Sequence, residues 1–185
     1  MTKLLEYKLK FLREFQEQYP TSHVGGSVGL MLQGIHLKRS LEKSDLDLII
    51  DELDENEFFT DFINKYDKPI DISSNTSDFD IRFSVNYDME NIWYKYTKVE
   101  IRINPEPSFD VIEFEGNFYN VSKLRNILFW KTKYAKNGSQ KHIDDLFTIK
   151  FGRKADSNEF KEFVKTICPK EYIEYDECFS DELPF

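Results

Sequence analysis

The sequence predicts an α+β fold, with a mixed β-sheet flanked by helices and a helical segment towards the C-terminus. Three observations lead there. Residues 3–18 repeat their apolar residues at helical spacing. Residues 78–87 alternate, with Phe79, Ile81, Phe83 and Val85 on one face and Asp78, Asp80, Arg82 and Ser84 on the other. Residues 121–150 return to a helical period after a run of strands. Strands grouped between helices favour α+β over an alternating α/β order.

The elements follow in order. Leu5, Leu9 and Leu12 mark one side of a first helix, which Pro20 stops. Gly25-Gly26 is a turn signal. Val28, Met31, Leu32 and Ile35 fall at i, i+3, i+4 and i+7, so a short helix begins just after Ser27 and weakens at Gly34. Residues 46–50 read as a buried strand and 54–66 as a helix. Residues 93–103 and 109–114 are strands around the turn Asn104-Pro105-Glu106-Pro107. Two helices, broken at Asn137-Gly138, fill 121–150, and 156–167 is a last helix before an acidic, aromatic tail.

With 185 residues the chain is long enough for one domain with a sizeable core. Residues 1–150 read as the core, first helix included. Residues 151–185 read as a helix and tail packed on the same domain. The net charge of −9 argues against a surface that binds nucleic acid at large. Cys168 and Cys178 form neither a disulfide framework nor a metal spacing, which suits a reducing cytosol. The charged N-terminus lacks the apolar core of a signal peptide. No window approaches the roughly 18 apolar residues of a membrane span. A cytoplasmic protein with no membrane partner is expected.

The chemistry concentrates in HVGGSVGLMLQGIHLKRSLEKSDLDLII, residues 23–50. Adjacent glycines let a backbone approach a ligand closely, and a helix starting there aims unpaired N–H groups at the same spot. Gly25, Gly26 and Ser27 are therefore candidates for holding phosphate. Asp45 and Asp47 sit at i and i+2 of a strand and share a face. Two such carboxylates repel unless a cation lies between them, and hard oxygen ligands suit Mg²⁺ with substrate phosphates.

This pairing resembles the nucleotidyltransferases of the polymerase-beta-like superfamily, whose signature is a Gly-Gly/Ser turn, a short helix, Asp-x-Asp on a strand and a third carboxylate on a later strand. The chain looks most similar to small bacterial members of the abortive-infection and toxin type. Their Leu-x-Gly-x-x-x-x-Arg phrase is echoed by Leu32-Gln33-Gly34 and Arg39. The spacer from Ser27 to Asp45 is longer than in compact members and leaves the loop 40–44 without a role.

For the third carboxylate, Asp110 in Phe109-Asp110-Val111-Ile112 fits the family's pattern of an acid amid apolar strand residues. It is expected on a covered face, where it needs a partner. Asp80, on a wholly polar face, is the weaker candidate. Further along, Lys141 and Asp145-Leu146 match the family's Lys-Asp-x-x-Asp-Leu segment, with His142 where an acid is usual. Periodicity adds Lys131. It falls on the apolar stripe of Leu124, Ile127, Leu128, Tyr134 and Ala135, so it needs either an anionic partner such as triphosphate or a route for its stem to water.

The resemblance, over residues 22–150, implies a transferase. Two Mg²⁺ ions would lie on Asp45, Asp47 and Asp110, with triphosphate against Gly25, Gly26, Ser27, Arg39, Lys131 and Lys141. Residues 116–141 hold six Lys or Arg and no acid, which suits triphosphate or a phosphate-rich acceptor such as tRNA. A partner protein or a small molecule is the other kind of acceptor. Two further readings are an inactive nucleotide- or protein-binding module and a component of a toxin–antitoxin or phage-defence system.

Overall fold

The computed structural model describes residues 2–42, 44–51, 73–75, 79–86, 96–103, 108–153, 158–159 and 162–163, with side chains left undescribed for 73–97. The helix expected over 54–66 and most of the one over 156–167 lie outside the described residues, as does the acidic tail.

Helix α1 spans Lys3–Gln18, capped where the Thr2 hydroxyl accepts from the Leu5 N–H. Strand β1 (His23–Val24) leads into α2 (Gly26–Leu32) and then β2 (Leu46–Ile50). Strands β3 (Ser73–Asn75), β4 (Phe79–Asn86), β5 (Tyr96–Ile103), β6 (Phe109–Phe114) and β7 (Asn117–Ser122) follow. Helices α3 (Leu124–Lys136) and α4 (Gln140–Phe151) come after them. The break between α3 and α4 comes where it was expected, with Gly138 at φ 86°.

The strands form one mixed seven-stranded sheet in the order β3-β4-β5-β2-β1-β7-β6. β1 runs parallel to β7, β2 runs parallel to β5, and the other neighbours are antiparallel. The sequence reading missed β1, β3 and β7. β7 escaped because its partner strand turns back through only Glu115 and Gly116, at φ 49° and 74°. That two-residue turn needs positive φ at both positions, and Glu is an unusual residue for the first.

β2 alternates as expected, with Leu46, Leu48 and Ile50 buried and Asp47 and Ile49 half-buried. Its apolar face joins Val24, Val99, Ile101 and Val121 against Leu9, Phe11, Leu12 and Phe15 of α1 and Val28 and Met31 of α2. The opposite face carries Asp47. Gly29 lets α2 sit directly on the sheet, since a Cβ there would lie 2.9 Å from the Val24 carbonyl and 3.0 Å from Ile127. α3 and α4 build a second cluster from Leu128, Ala135, Ile143, Leu146 and Phe147, which Phe163 joins from further along the chain.

Candidate active site

The turn into α2 meets the Asp-x-Asp strand at close range. The Gly25 N–H donates to the Asp47 carbonyl at 2.7 Å, which carries the β1–β2 pairing to the end of β1. Gly26 follows at φ 56°, where a side chain is strained. A Cβ on it would stand 1.7 Å from Asp47 Oδ2. Glycine is required there twice over, for its backbone angle and for the carboxylate that fills the space a side chain would take. The two halves of the sequence motif are in contact.

Burial pushes the Asp47 carboxyl above the usual carboxylate range, and the charge of Asp45 pushes it further. Lys131, Lys141 and Arg102 pull the other way without restoring it. Asp45 lies half-buried just before the first residue of β2.

Beside this acidic pair stands a cluster of basic residues. Lys131 is 2% exposed, so its stem does not reach water. Its ammonium donates to Asp145 Oδ2 at 2.7 Å and to Ser27 Oγ at 3.2 Å. Arg39 grips the same carboxylate with two bonds, Nε to Oδ1 at 2.8 Å and Nη2 to Oδ2 at 2.9 Å. It also donates to Ser27 Oγ at 2.5 Å and to Ser44 Oγ at 2.8 Å. Burial alone would raise the Asp145 pKa, but the Arg39 bonds and the Lys131 charge outweigh it and hold the group below its usual value. Lys141 is exposed on the first turn of α4. Burial, then the charges of Lys131 and Lys141, holds the His142 pKa at about 4 and leaves the ring neutral at pH 7.

Gly25 and Gly26 therefore lie against Asp47, Ser27 joins them to Arg39 and Lys131, and the charges of Lys131 and Lys141 act on Asp47. Asp110 does not join them. It was expected on a covered face, yet it is exposed, because β6 is at the end of the sheet formed by the described strands. Its register runs through Val121 and Val24 to Leu48, which puts it on the face opposite Asp47. It is three strands from β2, roughly 14 Å at ordinary strand spacing. The side chain of Asp80, on β4, is outside those described.

Two residues were not put forward from the sequence. Glu100, half-buried on β5, is the direct parallel partner of Asp47. The alternation Lys98-Val99-Glu100-Ile101-Arg102-Ile103 copies that of Asp45-Leu46-Asp47-Leu48, and this signal was available. Asp145 was matched to a motif but given no role. Its signal was an inward acid one helix after an inward lysine. Among the described residues, no three His, Cys, Asp or Glu side chains are grouped so that they could hold a metal ion. No described helix is long and apolar enough to cross a membrane.

No protein-family model matches the chain, and no curated protein does. Two solved structures are similar to it, and the first of them carries the likeness of fold. One is a candidate nucleotidyltransferase from H. pylori, 15% identical, with a TM-score of 0.50 over 92% of this chain and 97% of that one. The other is an antigenic nucleotidyltransferase-like protein from Paracoccidioides brasiliensis, 14% identical, with a TM-score of 0.49 over 87% of each chain. The fold is the α+β, nucleotidyltransferase-like one.

Proposed function

We propose that the protein transfers a nucleoside monophosphate from an NTP to a hydroxyl acceptor and releases pyrophosphate. The observation that carries this reading is the contact of Gly26 with the Asp47 carboxylate, next to Ser27 and its two cationic partners. An acidic pair for a metal and a cationic cluster for triphosphate then adjoin each other.

The donor set fits Mg²⁺. Asp45 and Asp47 supply hard oxygens, and their mutual repulsion is what a divalent cation relieves. Asp45 and Asp47 would hold the ions, and Glu100, the register neighbour of Asp47, is the proposed third carboxylate in place of Asp110. Two Mg²⁺ ions bound there would supply charge stabilisation to the attacking and leaving oxygens.

The protein's own groups do the rest. Lys131, Arg39 and Lys141 bind the triphosphate. With only seven residues in α2, these cations matter more than the helix end. Asp145 orients Lys131 and Arg39. The bare backbone at Gly25 and Gly26 admits the phosphates. The acceptor oxygen attacks the α-phosphorus in line, and the bond to pyrophosphate breaks. Exposed Arg125, Lys133 and Lys141 favour an acceptor rich in phosphate, such as tRNA, over a neutral small molecule.

A second reading has its own support. Asp145 already neutralises part of the cationic cluster, as in a module that binds nucleotide or a partner protein without turnover. Incubation with each α-labelled NTP, Mg²⁺ and a cell extract separates the two. Transfer of label to a product, lost in Asp45→Asn and Asp47→Asn, supports the transferase. NTP binding with no labelled product under any condition sinks it in favour of the module. A labelled tRNA would suit a toxin, and a labelled partner protein would suit a protein-modifying defence component.

A further inference from the structure

The loop 40–44, which lengthens the spacer before Asp45, has no part in the chemistry above. Three carbonyls among its described residues close around an ammonium. Lys8 of α1 is fully buried, and its Nζ donates to Leu41 O at 2.9 Å, Glu42 O at 3.1 Å and Ser44 O at 2.5 Å. Three acceptors saturate the three protons of an ammonium. Ser44 is held from its other side too, where its hydroxyl accepts from Arg39, and the next residue is Asp45.

A buried ammonium is a costly way to fill space. A methionine would occupy the same volume without desolvating a charge. Burial pulls the Lys8 pKa down to about 8 even with Asp45, Glu42 and Asp47 acting to raise it. The N-terminal helix thus places a charge where stability alone would not favour one.

We propose that Lys8 is a positioning residue. By gathering the carbonyls of Leu41, Glu42 and Ser44 it fixes the path of the chain into Asp45 and Asp47, and so makes α1 part of the active centre. This rests on reading Asp45 and Asp47 as the metal-holding pair.

Mn²⁺ binding, followed by electron paramagnetic resonance on the whole protein, tests it, because the two effects of Lys8 have opposite signs. Removing a nearby positive charge tightens cation binding, whereas losing the loop's anchor weakens it. A role confined to stability would lower the melting temperature and leave the folded protein's affinity alone. Lys8→Met should bind Mn²⁺ about tenfold more weakly, the low end of what losing an outer partner costs a metal site. Lys8→Gln keeps two donors without the charge and should fall between Lys8→Met and wild type. It decides by the same criterion if Lys8→Met fails to fold. Asp45→Asn and Asp47→Asn provide the reference. If they abolish Mn²⁺ binding while the Lys8 variants bind as well as wild type or better, the role of Lys8 is overturned and the pair stands. If they leave Mn²⁺ binding intact, the reading of the pair falls and the role of Lys8 falls with it.

Discussion

Lys131 and Asp145 form an ion pair 2.7 Å long in which each side chain is 2% exposed. The pair joins α3 to α4, and through Ser27 it reaches the turn that faces Asp47. Its charge-bearing groups are the ones that the proposed chemistry would use.

Breaking that pair from one side should be costly. Lys131→Met leaves a buried carboxylate with Arg39 alone, and we expect a loss of about 3 kcal/mol, the lower end for a buried pair stripped of one partner. Transfer should fall by about 10²-fold to 10³-fold, as when one electrostatic stabiliser is removed. Adding Asp145→Leu should recover much of the stability and none of the transfer. Thermal melts and a label-transfer assay on the single and double variants check this. A double variant no more stable than Lys131→Met would refute the pairing.

Gly26 is the least replaceable glycine on these grounds. Gly26→Ala must accommodate both a strained backbone and a methyl group inside the Asp47 carboxylate. Gly34→Ala has a comparable φ, 79°, but meets nothing within 4 Å. We expect Gly34→Ala to cost about 1 kcal/mol of backbone strain, and Gly26→Ala to cost more and to abolish Mn²⁺ binding. Equal melting temperatures for the two variants would show that the carboxylate simply swings aside.

The acids should separate cleanly. Asp47→Asn removes a charge held under repulsion, so the metal-free protein should be as stable as wild type or more so, with transfer lost. Glu100→Gln should also abolish transfer, whereas Asp110→Ala should be silent in both assays. Activity that survives Glu100→Gln and dies with Asp110→Ala would return the third carboxylate to β6.

His142 gives stability a pH dependence of known sign. Its folded pKa, about 4, is below the ordinary value of 6.5, so between those values the unfolded chain takes up a proton that the folded one refuses. Stability should therefore fall as pH drops from about 6.5 to 4. His142→Phe keeps the stacking on Tyr134 and should flatten that part of the curve. Denaturant melts across this range, identical for the two proteins, would assign the acid sensitivity elsewhere.

Much of this was legible in the sequence because it depends on local patterns. Helical period placed Lys131 inward, and alternation put Asp45 and Asp47 on one face. Which inward charge meets which is a matter of tertiary geometry, and for that reason Asp145 and Lys8 passed without a role. Asp110 misled for a related reason. Apolar neighbours along a strand suggest cover, but β6 is at the sheet's edge, and edge position follows from strand order, which no local pattern encodes. Glu100 was within reach of the same alternation argument, had its strand been placed beside β2.

Among the described strands, the two-residue β1 alone links the halves of the sheet, since it pairs with β2 on one side and β7 on the other. Val24 meets Val121, roughly a hundred residues along the chain, and contacts that distant form late and slowly in folding. The glycine turn that faces Asp47 begins where β1 ends, and α3 and α4 follow directly from β7. The site is therefore built across the seam rather than within either half. Asp45 and Asp47 lie on one side of that seam, and Lys131 and Asp145 follow from the other.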